Sequence, residues 1–336
     1  MGSEQKAPPS WVTVISKYNR PDKWKSIWQI MNSLVPYIIL WVLMVLSLDI
    51  SYWITLGLSV LAAGFLVRIF IIFHDCGHHA FFRSEKANKI VGTILGSLTF
   101  TPYERWHSDH ATHHQTVGNL DKRGSGDVWT LTVEEYQQLS RRDKFIYRLY
   151  RHPIILFGIA PVLLFVIWFR FTNRSMSAPE RKSVYITNLI LLVTITGLIL
   201  LIGWRAYLLI QLPVIYIASG IGVWLFYVQH QFEDVIWVRQ AEWDYKKIAL
   251  EGSSYLKLPG ILQWFSGNIG FHHIHHLSPR IPNYYLEKCQ KENEMFSEIK
   301  PVTILPALRT MKFRLWDEQA GRLISFRQLK RQAAHA

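Results

Sequence analysis

The chain has 336 residues, half of them apolar, 14% aromatic and only 18% charged, with a formal charge of +13 and a mean hydropathy of +0.10. Soluble domains carry about 25% charged residues, so this composition excludes a disordered chain, a collagen-like fibre and a coiled coil, and two cysteines, Cys76 and Cys289, exclude a disulfide scaffold. Long apolar runs make the basic excess a sign of loops held against anionic lipid, not of nucleic-acid binding.

The pattern predicts an all-α membrane protein with four transmembrane helices in two hairpins and a helical cap on the cytoplasmic side. Residues 1–30 are expected as a cytoplasmic segment, of which 1–25 are polar and basic and lack the apolar stretch and cleavage site of a signal peptide. Lys6, Lys17, Arg20, Lys23 and Lys25 favour a cytoplasmic N-terminus. A span needs about 20 mostly apolar residues; 31–48 and 52–73 qualify, and their hairpin returns His74 to the cytoplasm. Residues 90–101 are too few to cross and read as a re-entrant or interfacial segment. Residues 134–151 mix Tyr136, Leu139, Phe145, Tyr147 and Leu149 with Arg141, Arg142, Lys144 and Arg148, the pattern of an interfacial amphipathic helix.

Residues 153–169 are a marginal span flanked on both sides by basic stretches, so parity makes them re-entrant or interfacial. Residues 184–202 and 206–228 form the second hairpin and return His230 to the cytoplasm. Pro259, Pro279 and Pro282 are expected to end helices nearby. Residues 31–300 thus form one membrane-embedded unit. Residues 301–336 follow as a basic cytoplasmic tail, with seven basic residues from Arg309 to Arg331. A multi-pass protein of the cell membrane with both termini inside is the expected result.

Thirteen of the fourteen histidines lie between residues 74 and 276, eleven of them in three clusters. These read His74-Asp75-Cys76-Gly77-His78-His79, His107-Ser108-Asp109-His110-Ala111-Thr112-His113-His114 and His272-His273-Ile274-His275-His276. Each places His at i and i+3 or i+4, one face of a helix. So many imidazoles beside membrane spans cost free energy unless a metal or an aqueous cavity compensates. Imidazole suits Zn, Cu, Fe and Ni, and a catalytic zinc takes only about three protein ligands. The zinc-protease helix also needs Glu after its first His, where Asp75 stands. The ligand count favours two ions, and an all-imidazole dinuclear iron site fits chemistry with O₂. A metal transporter would put its ligands within the spans; these lie at span ends. Cys76, His152 and His335 read as structural.

The three boxes, set between paired hairpins, resemble those of the membrane fatty-acid desaturase superfamily over about residues 30–300. Box one, 228–234 and 267–272 are similar to acyl-lipid desaturases, and 119–129 resembles the bacillus-type phospholipid desaturase that introduces a Δ5 double bond. The resemblance implies metal ligands at His74 with His78 or His79, at His110, His113 and His114, at His230, and at His272, His275 and His276. Spacing alone does not separate His78 from His79. Relatives acting on acyl-CoA carry an Asn four residues before the equivalent of His230; here that position is Phe226, and Asn268 is the candidate replacement. His107 and His273 fall outside the boxes as supporting side chains. Asp75, Asp109, Glu233 and Asp234 are the carboxylates placed to orient ligating rings.

The implied activity uses two irons and O₂ to remove hydrogen from adjacent methylenes of an acyl chain in membrane phospholipid, leaving a cis double bond. The alternative is a lipid or carotenoid hydroxylase or ketolase built on the same boxes. Neither a fused cytochrome b5-like haem motif nor a dinucleotide fingerprint is present. Electrons are therefore expected from an external donor, and a basic surface suits an acidic one such as reduced ferredoxin or flavodoxin.

Overall fold

Asp22 starts the first long helix. In the computed structural model, which describes residues 10–124 and 126–335, a short α1 (Ser10–Ser16) precedes α2 (Lys23–Ser47). Lys6, Ser125, Ala336 and the side chain of His335, which figure in the expectations above, lie outside the described residues. The Asp22 carboxylate accepts from the Trp24 and Lys25 amides at 2.9 and 3.1 Å, so α2 begins well ahead of its apolar run. Its buried stripe, Ser26, Gln29, Ser33, Tyr37, Leu40, Met44 and Ser47, recurs every three or four residues. That stripe faces α3 (Tyr52–Gly77), and a short capped helix α4 (Glu85–Leu98) and α5 (Tyr103–Thr116) follow.

Residues 134–151 form two helices, where a single one was expected. β1 (Leu131–Thr132) leads into α6 (Val133–Gln138), closed by a Thr132–Glu135 capping box. Ser140 then caps α7 (Arg141–Tyr150), its hydroxyl accepting from the Asp143 amide at 3.1 Å. Local capping chemistry divides a continuous amphipathic pattern here. The chain next bends by 56° into the apolar segment Ile155–Arg170, where two π-helical turns flank α8 (Ala160–Val162). At one end Arg151, fully buried, donates to the Trp129 and Phe313 carbonyls and to Gln231, next to His230. At the other, Arg105 of α5 donates to the Trp168 and Phe171 carbonyls at 3.1 and 2.9 Å. Both ends are therefore tied to histidine-bearing elements.

α9 (Ala178–Ile202) and α10 (Trp204–His230) form the second hairpin, turning at Gly203 with φ +83°. Among the described residues α2, α3, α9 and α10 are the four single helices long and apolar enough to cross a membrane, and α7 with the bent 155–170 segment together would make a fifth. Their outer faces are apolar too: Leu200 is 82% exposed, tolerable in contact with lipid and costly in water.

The remaining elements are short: α11 (Tyr245–Glu251), β2 (Tyr255–Leu256), α12 (Gly260–Phe265), α13 (His272–Leu277), α14 (Asn283–Glu292), β3 (Pro301–Val302), α15 (Ile304–Thr310), β4 (Leu315–Asp317), β5 (Arg322–Ile324) and α16 (Phe326–His335). β1 pairs parallel with β4, β4 antiparallel with β5, and β2 parallel with β3. Residues 301–335 are thus woven into the cap: the Tyr227 hydroxyl donates to the Thr310 carbonyl at 2.8 Å. Pro259 and Pro282 stand at the starts of α12 and α14. Arg68, buried inside a span, donates to the Ser33 hydroxyl at 3.1 Å and to the Trp264 carbonyl. Its guanidinium lies 3.9 Å from the Trp264 ring centre, so a paired charge pins α12 to α3 just ahead of the third histidine box.

Candidate metal centre

Nine imidazoles from four helices and the turn after α3 converge into two adjoining groups. One holds His74, His78, His110, His114 and His275; the other holds His113, His230, His272 and His276. Within each group the ligand-capable nitrogens all lie within 4.8 Å of one another. The i, i+4 pairs His74/His78, His110/His114 and His272/His276 each stay in one group, as a shared helix face requires. His113 and His275, one residue off those pairs, cross to the other group. Thus α5 and α13 each serve both.

The nitrogens meet at close range. His110 Nε2 lies 3.1 Å from both His74 Nε2 and His114 Nε2, and His272 Nε2 lies 2.9 Å from His230 Nε2. His113 Nδ1 donates to Asp127 at 2.6 Å and His230 Nδ1 to the Gly252 carbonyl at 3.3 Å. Each ring therefore presents a lone pair at Nε2, yet those two atoms face each other at 3.1 Å in a buried site. Two lone pairs repel at that distance; a cation between them removes the conflict. A metal–imidazole bond of about 2.1 Å puts ligands at right angles about 3.0 Å apart, which the observed spacing matches, against about 3.4 Å in a tetrahedron. Burial and the neighbouring imidazoles hold His78, His110, His114, His272, His275 and His276 well below the ordinary imidazole pKa. They are neutral, as ligands must be. With five nitrogens in one group, four in the other and near-right-angle spacing in both, the donor set fits two metal ions and suits a tetrahedral zinc poorly.

Two cavities reach the groups. An apolar one of about 730 Å³ runs between α3, α10 and the 155–170 segment, walled by side chains such as Val67, Phe70, Phe165 and Ala218, and touches His74, His110 and His272. A cleft of about 530 Å³, more polar than the first and bordered by Asp121, Arg123, Gln231 and Arg239, touches His230.

A sequence profile described as fatty acid desaturase matches residues 50–302, a range that holds all nine of these histidines. The chain belongs to the fatty acid desaturase family. It is 47% identical over 316 residues to a fatty acid desaturase of Bacillus subtilis (strain 168), covering 94% of this chain and 90% of that one. An endoplasmic-reticulum omega-3 fatty acid desaturase of Vigna radiata var. radiata is 31% identical over 241 residues, 66% of this chain and 60% of that one. The chloroplastic sn-2 acyl-lipid omega-3 desaturase (ferredoxin) of Arabidopsis thaliana is 28% identical over 254 residues, 70% of this chain and 54% of that one. The chain spans little more than half the length of these plant relatives. The desaturase is an oxidoreductase of the bacillus type that acts on acyl chains.

The desaturase keeps one sequence candidate out of both groups. His79 is exposed and its ring faces His107, with centroids 5.5 Å apart. The cause is local: α3 ends at Gly77, and His79 takes a left-handed φ of +54°, turning its side chain away. Of the candidate supports, Asp75 lies against an imidazole of the first group. Its carboxylate lies 3.2 Å from His74 Nδ1 and accepts from the Asn283 amide at 2.7 Å. Asp109 lines the apolar cavity, while Glu233 and Asp234 stay at the exposed surface. No hydrogen bond or ion pair from these three to an imidazole of the two groups occurs among the described residues, whereas Asp75 and Asp127 each have one. Asn268 shapes the turn before α13 with φ +58° and donates to the Asn283 carbonyl at 3.1 Å. His273 is buried and donates to Gln290 at 2.8 Å, and burial pushes its pKa down to about 4. His107 stacks on Tyr103, and His152 is exposed.

Asp127 was missed. It lies in a loop without periodicity, fourteen residues beyond His113. Gly126 lets that loop approach α5: with φ +73°, a Cβ there would sit 3.0 Å from the Asp109 carbonyl oxygen. Asp127→Asn is expected to lower metal affinity or turnover about 10–100-fold while leaving membrane insertion intact, because it loosens the His113 ring. Metal per chain and turnover in purified protein check this; wild-type values for both would refute it.

Proposed function

We propose that the desaturase introduces a cis double bond near the ester end, at Δ5, into acyl chains of membrane phospholipid, using a two-iron centre held by the nine grouped histidines. The observation that carries this reading is the apolar cavity, which reaches ligands of both groups and is long enough for an acyl chain. It touches α10 from Phe226 back to Ile215, and Ile215 is about 22 Å of helix rise from His230. The more polar cleft touches His230 itself, which supports a bond formed close to the polar end of the substrate.

Iron bound in these groups supplies reactivity towards O₂ strong enough to take hydrogen from an unactivated methylene. The chain's own residues do the rest. Asp75, Asp127 and the Gly252 carbonyl accept the Nδ1 protons of His74, His113 and His230, which fixes the tautomer of each ring. The cavity walls exclude water and hold the chain against the groups.

The electron donor we propose is reduced ferredoxin or flavodoxin, carriers that complement a chain of charge +13; the Arabidopsis thaliana relative carries ferredoxin in its name. We place the protein in the cell membrane with cap and termini in the cytoplasm, by the basic loops and because both ends of the 155–170 segment are tied to histidine-bearing elements. Expression in a cell with fully saturated membranes, followed by mass spectrometry of intact lipids, tests the function. New cis double bonds at one position in phospholipid acyl chains are expected; an alcohol or ketone, or a product confined to free acids, would overturn the reading.

A further inference from the structure

Phe226 stands where the two cavities meet. Its ring packs against two imidazoles, 5.0 Å from His113 and 5.3 Å from His230 between centroids. Among the described residues three, Asp127, Val128 and Phe226, belong to the walls of both the cleft and the apolar cavity. The Asp127 carboxylate is committed to His113 at 2.6 Å, so the apolar part of the shared wall is the Phe226 ring and the Val128 side chain.

The two spaces differ in chemistry. In the cleft Arg123 is paired with Glu135, and Arg239 bridges Asp121 and Glu318 at 2.7 Å to each. These charged pairs, partly exposed, border the cleft, whereas the cavity beyond is walled mainly by hydrocarbon. An ester forced into that cavity loses its hydrogen bonds with water and finds few replacements. An acyl lipid therefore has one natural register, polar end in the cleft and chain in the cavity.

We propose that the Phe226 ring, together with Val128, is the partition that holds this register and so fixes which two carbons of the chain lie beside the histidine groups. The proposal rests on the acyl-cavity reading above. Shrinking the partition merges the two spaces, and the ester can slide towards the groups.

The test uses the full chain in a host with saturated membranes and locates double bonds by mass spectrometry, with metal per chain measured on the same preparations. Phe226→Leu and Val128→Ala are each expected to spread the product over two or more bond positions, lowering the ratio of the parental isomer to the others at least about tenfold. Gly222→Leu serves as the comparison: Gly222 lines the cavity eight residues before His230, and a Cβ there meets nothing within 4 Å. The longer side chain projects into the cavity and is expected to shift selection towards shorter chains without moving the bond. A single unchanged position in both partition variants, with Gly222→Leu still altering chain length, overturns the partition and leaves the acyl cavity standing. No change in any of the three overturns both. If Phe226→Leu loses its metal, Val128→Ala, which leaves every ring packed on the imidazoles in place, decides alone.

Discussion

His113→Ala is expected to abolish desaturation and to release metal, while His79→Ala changes neither. His113 is fully buried, and its Nε2 faces that of His230 at 3.1 Å. Removing it takes one of only four nitrogens from its group, so the loss should exceed the roughly 100-fold ceiling typical of a supporting residue. Alanine is the best helix former, so α5 persists and insertion is unaffected. His79 has the same side chain five residues after His74, but it points outward. The pair of variants separates a ligand from a neighbour of identical chemistry. Desaturated acyl fraction and iron per chain are the measurements. Activity retained in His113→Ala, or an equal loss in His79→Ala, would sink the assignment of ligands.

The second large effect is with acid. His78, His110, His114, His272, His275 and His276 are all held below their ordinary value of 6.5 in the folded chain. Below that pH the unfolded chain takes up protons that the folded chain refuses. Stability is therefore complete above about pH 6.5 and falls as the pH drops, by up to about 1.4 kcal/mol per pH unit for each ring. Bound metal is lost along the same slope, since protons compete for the same lone pairs. Thermal unfolding and retained iron, followed in detergent from neutral pH downwards, should decline together and more steeply than one proton allows. Chelation at neutral pH should also lower the unfolding temperature, because the metal binds only the folded chain. A flat profile through this range would show that the imidazoles do not meet as described.

Much of the fold was legible because lipid leaves few options. Four apolar runs became four helices, and their extra turns came from local caps such as Asp22, which hydropathy does not register. Box spacing identified the i, i+4 pairs, a property of one helix. It could not assign His113 and His275 to the opposite groups, because that depends on how α5 and α13 are placed against α3 and α10. The choice between His78 and His79 turned on one backbone angle after Gly77. Asp127 was illegible for a different reason: its partner lies on another element, and the loop between them has no period to read.

The sharing of α5 and α13 between the two groups has a consequence for biosynthesis. One group needs His275 and the other needs His272 and His276, so neither is complete until the ribosome has passed residue 276. By then all four spans have been made, and no earlier nascent fragment offers a finished site to a metal ion. Maturation is therefore a late step, and a truncated chain would wait in the bilayer with both pockets of imidazole half built.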